Sequence, residues 1–269
     1  MVSERLQNGL AQELHRLGAF QLAGFRALDP KDVRIKDESG DASVVTRYDL
    51  ETESMLREWI HREFPGHGFL GEELGHSGGD PAHTWICDPI DGTANFVDGV
   101  PVWGTSLGYW RDGRPECAWI YFPALSQLFT AGRGGGAFLN GNPIRASTAP
   151  AYTMLTSVGL ESRTHLRHTL HLRARVRILG SAIANLCYTA SGTLVASITR
   201  AKLWDVAAGA LVLQEAGCVV DSTPALDSID AAHYGANGNP AFRITVSARA
   251  HAGLPPLTDF LRPALPVDG

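Results

Sequence analysis

The sequence has few cysteines and no long apolar run. Four cysteines, at positions 87, 117, 187 and 218, show no C-x-x-C spacing and sit in apolar company such as Ile86-Cys87 and Leu186-Cys187. Buried free thiols are therefore expected, rather than disulfides or a zinc site. No apolar stretch approaches the ~20 residues of a membrane span. The first residues, Met-Val-Ser-Glu-Arg-Leu, lack the basic-then-apolar build of a secretory signal, so no membrane partner and a cytoplasmic location are expected. A formal net charge of −5 gives no basic surface for nucleic acid. Neither a Gly-x-Ser-x-Gly elbow nor a Cys-x5-Arg loop occurs, which leaves a covalent serine or cysteine nucleophile without support. The glycine run 132–136 does not lead from a strand into a helix with G-x-G-x-x-G spacing, so it reads as a hairpin turn and not as a nucleotide loop.

With 269 residues, 44% of them hydrophobic, the chain can bury a core as one large domain or as two halves sharing one. Leu6, Leu10, Leu14 and Leu17 recur at helical spacing over residues 3–27, with Pro30 as a stop. Short extended pieces around a loop at Asp37–Asp41, which includes Lys36, precede a second helix with Asp49 at its N-cap. From Gly104 to Ser147 short strands alternate with Asp112-Gly113, Gly132–Gly136 and Asn140-Gly141, the pattern of an antiparallel meander. After Pro150 strands and helices alternate, with helices expected at 163–173, 182–190 and 206–216, and a strand at 242–246. The halves are thus 1–150 and 151–269. Asn237-Gly238-Asn239-Pro240 reads as a loop, and the tail after Gly253 as a final short helix.

One stretch organises the rest. Trp85-Ile86-Cys87 reads as a strand that delivers two aspartates three positions apart, in Asp88-Pro89-Ile90-Asp91-Gly92-Thr93. Alone, Asp-Pro-x-Asp-Gly is also an ordinary turn. As a site it offers hard oxygen ligands, which suit magnesium or manganese rather than zinc, with the Ile90 carbonyl as a further oxygen. Gly92 allows close approach to the backbone, and a helix starting near Thr93 would turn free N–H groups toward an anion.

Gly71-Glu72-Glu73 upstream and Trp204-Asp205-Val206-Ala207-Ala208-Gly209 downstream complete a set. In this order and spacing the three motifs resemble the inositol monophosphatase family of magnesium-dependent, lithium-sensitive phosphatases, over about residues 36–217. The resemblance implies a layered αβαβα sandwich, mixing α+β and α/β character, of the inositol monophosphatase/fructose-1,6-bisphosphatase type. It also implies two to three magnesium ions per site, a small phosphorylated substrate and a homodimer. Glu72, Asp88 and the Ile90 carbonyl would hold one metal; Asp88, Asp91 and Asp205 would hold a second. Glu72 and Thr93 would position and deprotonate the attacking water, and Gly92 and Thr93 would bind phosphate through backbone N–H groups. Asp49, in Val45-Thr46-Arg47-Tyr48-Asp49, would accept the Thr93 hydroxyl proton, a role compatible with capping. Lys36 would lie near the metal site unless simply solvated, and Asp205, which taken alone reads as a helix cap, reads beside the other motifs as a ligand. Ser181-Ala182 match the family's small residues beside the substrate.

One position departs from the family. Inositol-specific members usually carry an acidic residue six places before the tryptophan of Trp-Asp, and here that place is Ile198, with Arg200 and Lys202 beyond it. Ile198 and Arg200 are therefore candidate specificity residues, and a substrate with a second anionic group, a sugar bisphosphate or a nucleotide 3′-phosphate, becomes the alternative. A non-catalytic binding or regulatory relative is the alternative of another class. His165, His168 and His171 among Arg163–Arg177 suggest a solvated basic helix face more than a metal cluster.

Overall fold

A computed structural model of the chain describes residues 4–38, 41–161, 164, 168–225 and 244–263. The tip of the Asp37–Asp41 loop, His165, Arg163, Arg167 and the expected loop at 237–240 lie outside the described residues.

Helix α1 (Glu4–Arg26) stops before Pro30, and its Leu10, Leu14 and Leu17 are buried at the expected spacing. A hairpin of β1 (Val33–Glu38) and β2 (Asp41–Thr46) follows. Lys36 is therefore a strand residue opposite Ser43, and not a loop residue as expected. Helix α2 (Arg47–Glu63) is capped by Thr46, one turn before Asp49. The Thr46 hydroxyl accepts from the Tyr48 N–H at 3.1 Å, and Asp49 Oδ2 accepts from the Thr46 N–H at 2.8 Å. This capping box puts Asp49 at the third helical position and corrects its expected place at the N-cap.

Strands β3 (His67–Gly71), β4 (Gly75–Ser77) and β5 (Asp80–Asp91) lead to a short helix α3 (Thr93–Asp98). The meander then runs through β6 (Gly104–Arg111), β7 (Arg114–Phe122), β8 (Gln127–Gly132), β9 (Gly136–Leu139) and β10 (Asn142–Pro143). Together they form an eight-stranded sheet in the order β10-β9-β8-β7-β6-β5-β3-β4, antiparallel except for β3 against β5. Asp112 and Asn140, at φ 50° and 49°, take the left-handed conformation that two-residue hairpins require. Trp85 and Cys87 of β5 face a core with α1 and α2, whereas Ile86 faces a second core on the other side. A strand buried on both faces reads as the continuous apolar run seen in the sequence.

The second half contributes β11 (Ser157–Leu160), β12 (His168–Leu170), β13 (Arg175–Arg177), α4 (Ala182–Ala190), β14 (Ala196–Ala201), α5 (Leu203–Glu215), β15 (Val219–Thr223), β16 (Ile244–Arg249) and β17 (Leu261–Pro263). A five-stranded sheet has the order β13-β11-β14-β16-β15. Helices α4 and α5 lie between the two sheets in one shared core, from Leu70, Ile86 and Ile120 on one side to Ile244, Val246 and Ala248 on the other. The layers are thus helix, sheet, helix, sheet, with Leu254 and Leu257 covering the outer face of the last. Residues 168–170, expected in a helix, pair instead as an antiparallel strand with β17 near the C-terminus, which the basic helical pattern could not reveal. The expected final helix is a 3-10 turn, Leu257–Phe260. Cys87, Cys117 and Cys187 are buried, Cys218 is half-buried, and none of the four is in a disulfide. Among the described residues no helix is long and apolar enough to cross a membrane.

Candidate metal and phosphate site

β5 carries Asp88 and Asp91 to the end of the first sheet, β3 ends beside it at Gly71, and α5 starts there from the second half. Glu72, Asp88 and Asp205 meet at this point, each with a carboxylate oxygen within 4.8 Å of the others. Three carboxylates so close repel one another, and burial adds to this. Asp88 is pushed well above the usual carboxylate range by burial, then by Glu72, Asp205 and Asp91. Burial, Glu72 and Asp91 push Asp205 up to about 8, against the Lys202 N–H that donates to its Oδ2 at 2.7 Å. Asp88 Oδ1 is buried with no hydrogen-bond partner, although buried acceptors are almost always satisfied. An all-oxygen donor set with an orphaned buried oxygen at its centre fits a hard divalent cation, which would satisfy that oxygen and reverse the repulsion.

Asp91 stands slightly apart. Its carboxylate accepts the Ser181 hydroxyl, the Ala182 N–H at 3.2 Å and the Ile183 N–H at 3.2 Å, at the start of α4. These bonds oppose the burial that raises its pKa to about 6. Oδ1 accepts only one of them, so a lone pair remains for a cation. Ser181 and Ala182 are thus brought to the site through Asp91, and Ser181 also caps α4 by accepting from the Ala184 N–H at 3.2 Å.

Gly92 links the metal turn to α3 with φ 83°, and a Cβ there would stand 3.0 Å from the Val102 carbonyl, so only glycine fits without strain. The Thr93 hydroxyl lies 3.0 Å from Asp49 Oδ1 and 2.8 Å from the Ile90 carbonyl, and shares its one proton between them. Asp49 is buried, which lifts it to about 6 against its bonds to Thr46 and Thr93. The expected Asp49–Thr93 contact therefore exists beside the capping box.

Lys36 Nζ donates to Glu73 Oε1 at 2.5 Å and lies 3.9 Å from Glu72 Oε1. Lys202 Nζ lies 3.9 Å from the same Glu72 oxygen and 5.0 Å above the Trp204 ring. Glu72 is thus flanked by a lysine from each half. Ile198 is elsewhere: it is buried with Val158, Leu160, Leu254 and Leu257 on the outer face of β14, opposite the face of Ser197 and Thr199. Arg200 shares that outer face by strand alternation. This corrects the expectation that the two residues line the substrate site.

Three buried polar residues under the site were missed from the sequence. Glu53 of α2, fully buried, accepts the Glu73 and Leu74 N–H groups at 2.8 and 2.9 Å and pairs with Arg57 at 3.0 Å. Arg57 also donates to the Gly75 carbonyl at 2.7 Å. A Cβ on Gly71 would overlap the Glu53 carboxylate, which explains the glycine of Gly-Glu-Glu. Gln21 and Thr105 hold the Pro89 carbonyl. The available signal was a charged or amide residue inside an apolar helical stripe: Glu53 lies between Asp49 and Leu56, and Gln21 four residues after Leu17.

The family model described as the inositol monophosphatase family matches residues 8–246. An inositol-1-monophosphatase of Rhizobium meliloti (strain 1021) is 35% identical over 229 residues, covering 81% of this chain and 85% of the relative. A fructose-1,6-bisphosphatase/inositol-1-monophosphatase of Thermotoga maritima is 35% identical over 200 residues, covering 69% and 74%. The crystal structure of the extragenic suppressor protein suhB from Bartonella henselae superimposes with a TM-score of 0.78 at 25% identity, covering 93% of this chain and 95% of that one.

Proposed function

Since the chain belongs to the inositol monophosphatase family of phosphomonoesterases, we propose that it hydrolyses a small phosphate ester with two to three magnesium ions held at the carboxylates of Glu72, Asp88, Asp91 and Asp205. The observation that carries this reading is the orphaned Asp88 oxygen amid three converging carboxylates. Glu72, Asp88 and the Ile90 carbonyl would hold one cation, and Asp88, Asp91 and Asp205 a second; manganese suits the same oxygens. When bound, such ions supply Lewis acidity and lower the pKa of water.

The chain's residues do the rest. Glu72 is the base that takes a proton from the attacking water. Thr93, whose hydroxyl proton is engaged by Asp49, turns its oxygen lone pairs to that water and orients it. Backbone N–H groups of Gly92 and Thr93 receive the phosphate oxygens. Ser181 and Ala182 fix Asp91 at the substrate side. The enzyme acts in the cytoplasm as a homodimer of two-part subunits divided near residue 150, without nucleic acid or membrane.

A second reading concerns the substrate alone. Lys202 and Lys36, one from each half, both approach Glu72. Two positive charges beside the carboxylates favour a substrate with a second anionic group, a sugar bisphosphate or a nucleotide 3′-phosphate. Phosphate release from inositol 1-phosphate, fructose 1,6-bisphosphate and adenosine 3′,5′-bisphosphate, with magnesium and with chelator, tests both readings. Magnesium-dependent turnover is expected, lost in Asp91→Asn. Turnover that persists in chelator would overturn the metal assignment, and a strong preference for inositol 1-phosphate would overturn the bisphosphate reading.

A further inference from the structure

The metal turn is not a regular strand. On β5 the residues Asp88 and Asp91 pair with Ser106 and Gly104 of β6, so three steps on one strand match two on the other. Pro89 and Ile90 together oppose Thr105, which is a β-bulge. A bulge interrupts the ladder, so the carbonyls of Pro89 and Ile90 must find other partners.

They find different ones. The Pro89 carbonyl accepts two hydrogen bonds, from Gln21 Nε2 at 2.9 Å and from the Thr105 hydroxyl at 2.8 Å. Gln21 Nε2 also donates to Thr105 Oγ1 at 2.9 Å, with Thr52 Oγ1 3.4 Å away, which closes a buried triangle beneath the turn. Gln21, Thr52 and Thr105 are all essentially inaccessible to water. The Ile90 carbonyl instead meets the Thr93 hydroxyl at 2.8 Å, the same hydroxyl that lies 3.0 Å from Asp49 Oδ1.

We infer that Gln21 and Thr105 are positioning residues for catalysis: by fixing the Pro89 carbonyl toward α1, they orient the following peptide so that the Ile90 carbonyl faces the metal. The peptide unit is planar, and its two neighbouring torsions are the only soft degrees of freedom between these carbonyls. Holding one with two donors in a dry interior leaves the next little freedom. Asp88 precedes this unit directly, so its carboxylate shares the constraint. Gln21 lies 68 residues before Pro89 and touches neither substrate nor cation; it acts through the turn. Partners that orient metal ligands in this way are worth about 10–100-fold in metal affinity or activity.

The inference rests on the Ile90 carbonyl being a metal ligand, and the test separates the two. Thr105→Val removes the hydroxyl at nearly constant shape, Thr105→Ser keeps it, and Gln21→Met removes the amide. Manganese binding would be measured by calorimetry on each purified protein, together with backbone amide exchange over residues 86–96 and the melting temperature without metal. Thr105→Val and Gln21→Met are expected to bind manganese about tenfold more weakly and to exchange faster over 86–96, while Thr105→Ser matches the wild type. If Gln21→Met does not fold, the Thr105 pair decides. Wild-type affinity in Thr105→Val would overturn the inference. Weak binding in Thr105→Val matched by an equal loss in Thr105→Ser would also overturn it, because bulk and not the hydroxyl would then matter. If the wild type binds no manganese, the metal reading itself fails and takes the inference with it.

Discussion

The two sheets contribute to the site in different ways. In the first, β5 is twelve residues long, buried on both faces from Trp85 to Asp91, and its terminal bulge is braced by Gln21, Thr52 and Thr105. In the second, no strand exceeds six residues among those described, and β13 lies at an edge with its Val176, and Ile178 just beyond it, exposed. Among the described residues, the second half reaches the carboxylates through helix starts, with Ser181 capping α4 and Ala182 opening it, and Lys202 and Asp205 at the start of α5. The difference teaches that the reacting geometry is set by a rigid strand end. Recognition is left to segments whose side chains can vary without disturbing that strand.

The sharpest way to break this comparison is Asp88→Asn. Asp88 is the centre of the carboxylate cluster, so its loss should lower kcat by about a thousandfold or more, corresponding to roughly 4 kcal/mol of transition-state stabilisation. The same change relieves charge repulsion and should raise the melting temperature without metal. Phosphate-release kinetics and calorimetric melting check both; an active Asp88→Asn enzyme would remove the first sheet from the chemistry.

Glu53→Gln should act next in size. The glutamine keeps the shape but presents an NH2 group to the Glu73 or Leu74 N–H, so the Glu72 loop loses an acceptor. The magnesium concentration for half-activation should rise about 10–100-fold. Gly71→Ala should do the same by displacing Glu53. Titration of activity against magnesium decides, and an unchanged midpoint would mean that the loop is held by something else.

Acidity gives a smaller, reversible test. Without metal, Asp88, Asp91 and Asp205 titrate above the roughly 3.9 of an unfolded aspartate, Asp91 at about 6 and Asp205 at about 8. The native state then binds more protons than the unfolded chain, so stability falls as pH rises from about 4 through about 8. Bound magnesium requires the ionised carboxylates, so stability of the loaded protein should instead rise with pH over the same interval. Melting temperatures between pH 5 and 8 should thus slope downward in chelator and upward in magnesium. Parallel slopes would show that these groups are not the ligands.

How much of this was legible in the sequence follows the same division. The carboxylates stand in short contiguous motifs, and the hairpins announce themselves through Asp112-Gly113 and Asn140-Gly141, because turn geometry is a local property. The braces are not local. Gln21 reaches Pro89 over 68 residues and Glu53 reaches Glu73 over 20, so only the fold reveals them. The segment around His168 misled because helix periodicity was read where pairing with distant β17 wins. Ile198 misled for a subtler reason. Counting back from Trp204 gives a sequence position, but strand alternation decides the face, and Ile198 falls on the outer face of β14 among Val158, Leu160, Leu254 and Leu257.

That last point yields the smallest effect and the cleanest separation between the sheets. If Ile198 is only core, Ile198→Val removes one buried methylene among Val158, Leu160, Leu254 and Leu257, and should cost about 1 kcal/mol of stability. In a chain of this size that lowers the melting temperature by roughly 2–4 °C. Neither kcat/KM nor the ranking of inositol 1-phosphate against the bisphosphates should change. Lys202→Met makes the contrast, since its head group lies 3.9 Å from Glu72 rather than behind the sheet. It should weaken KM for the bisphosphates more than for inositol 1-phosphate. A specificity change in Ile198→Val with none in Lys202→Met would place recognition on the outer face of β14 and reverse the assignment of the two residues.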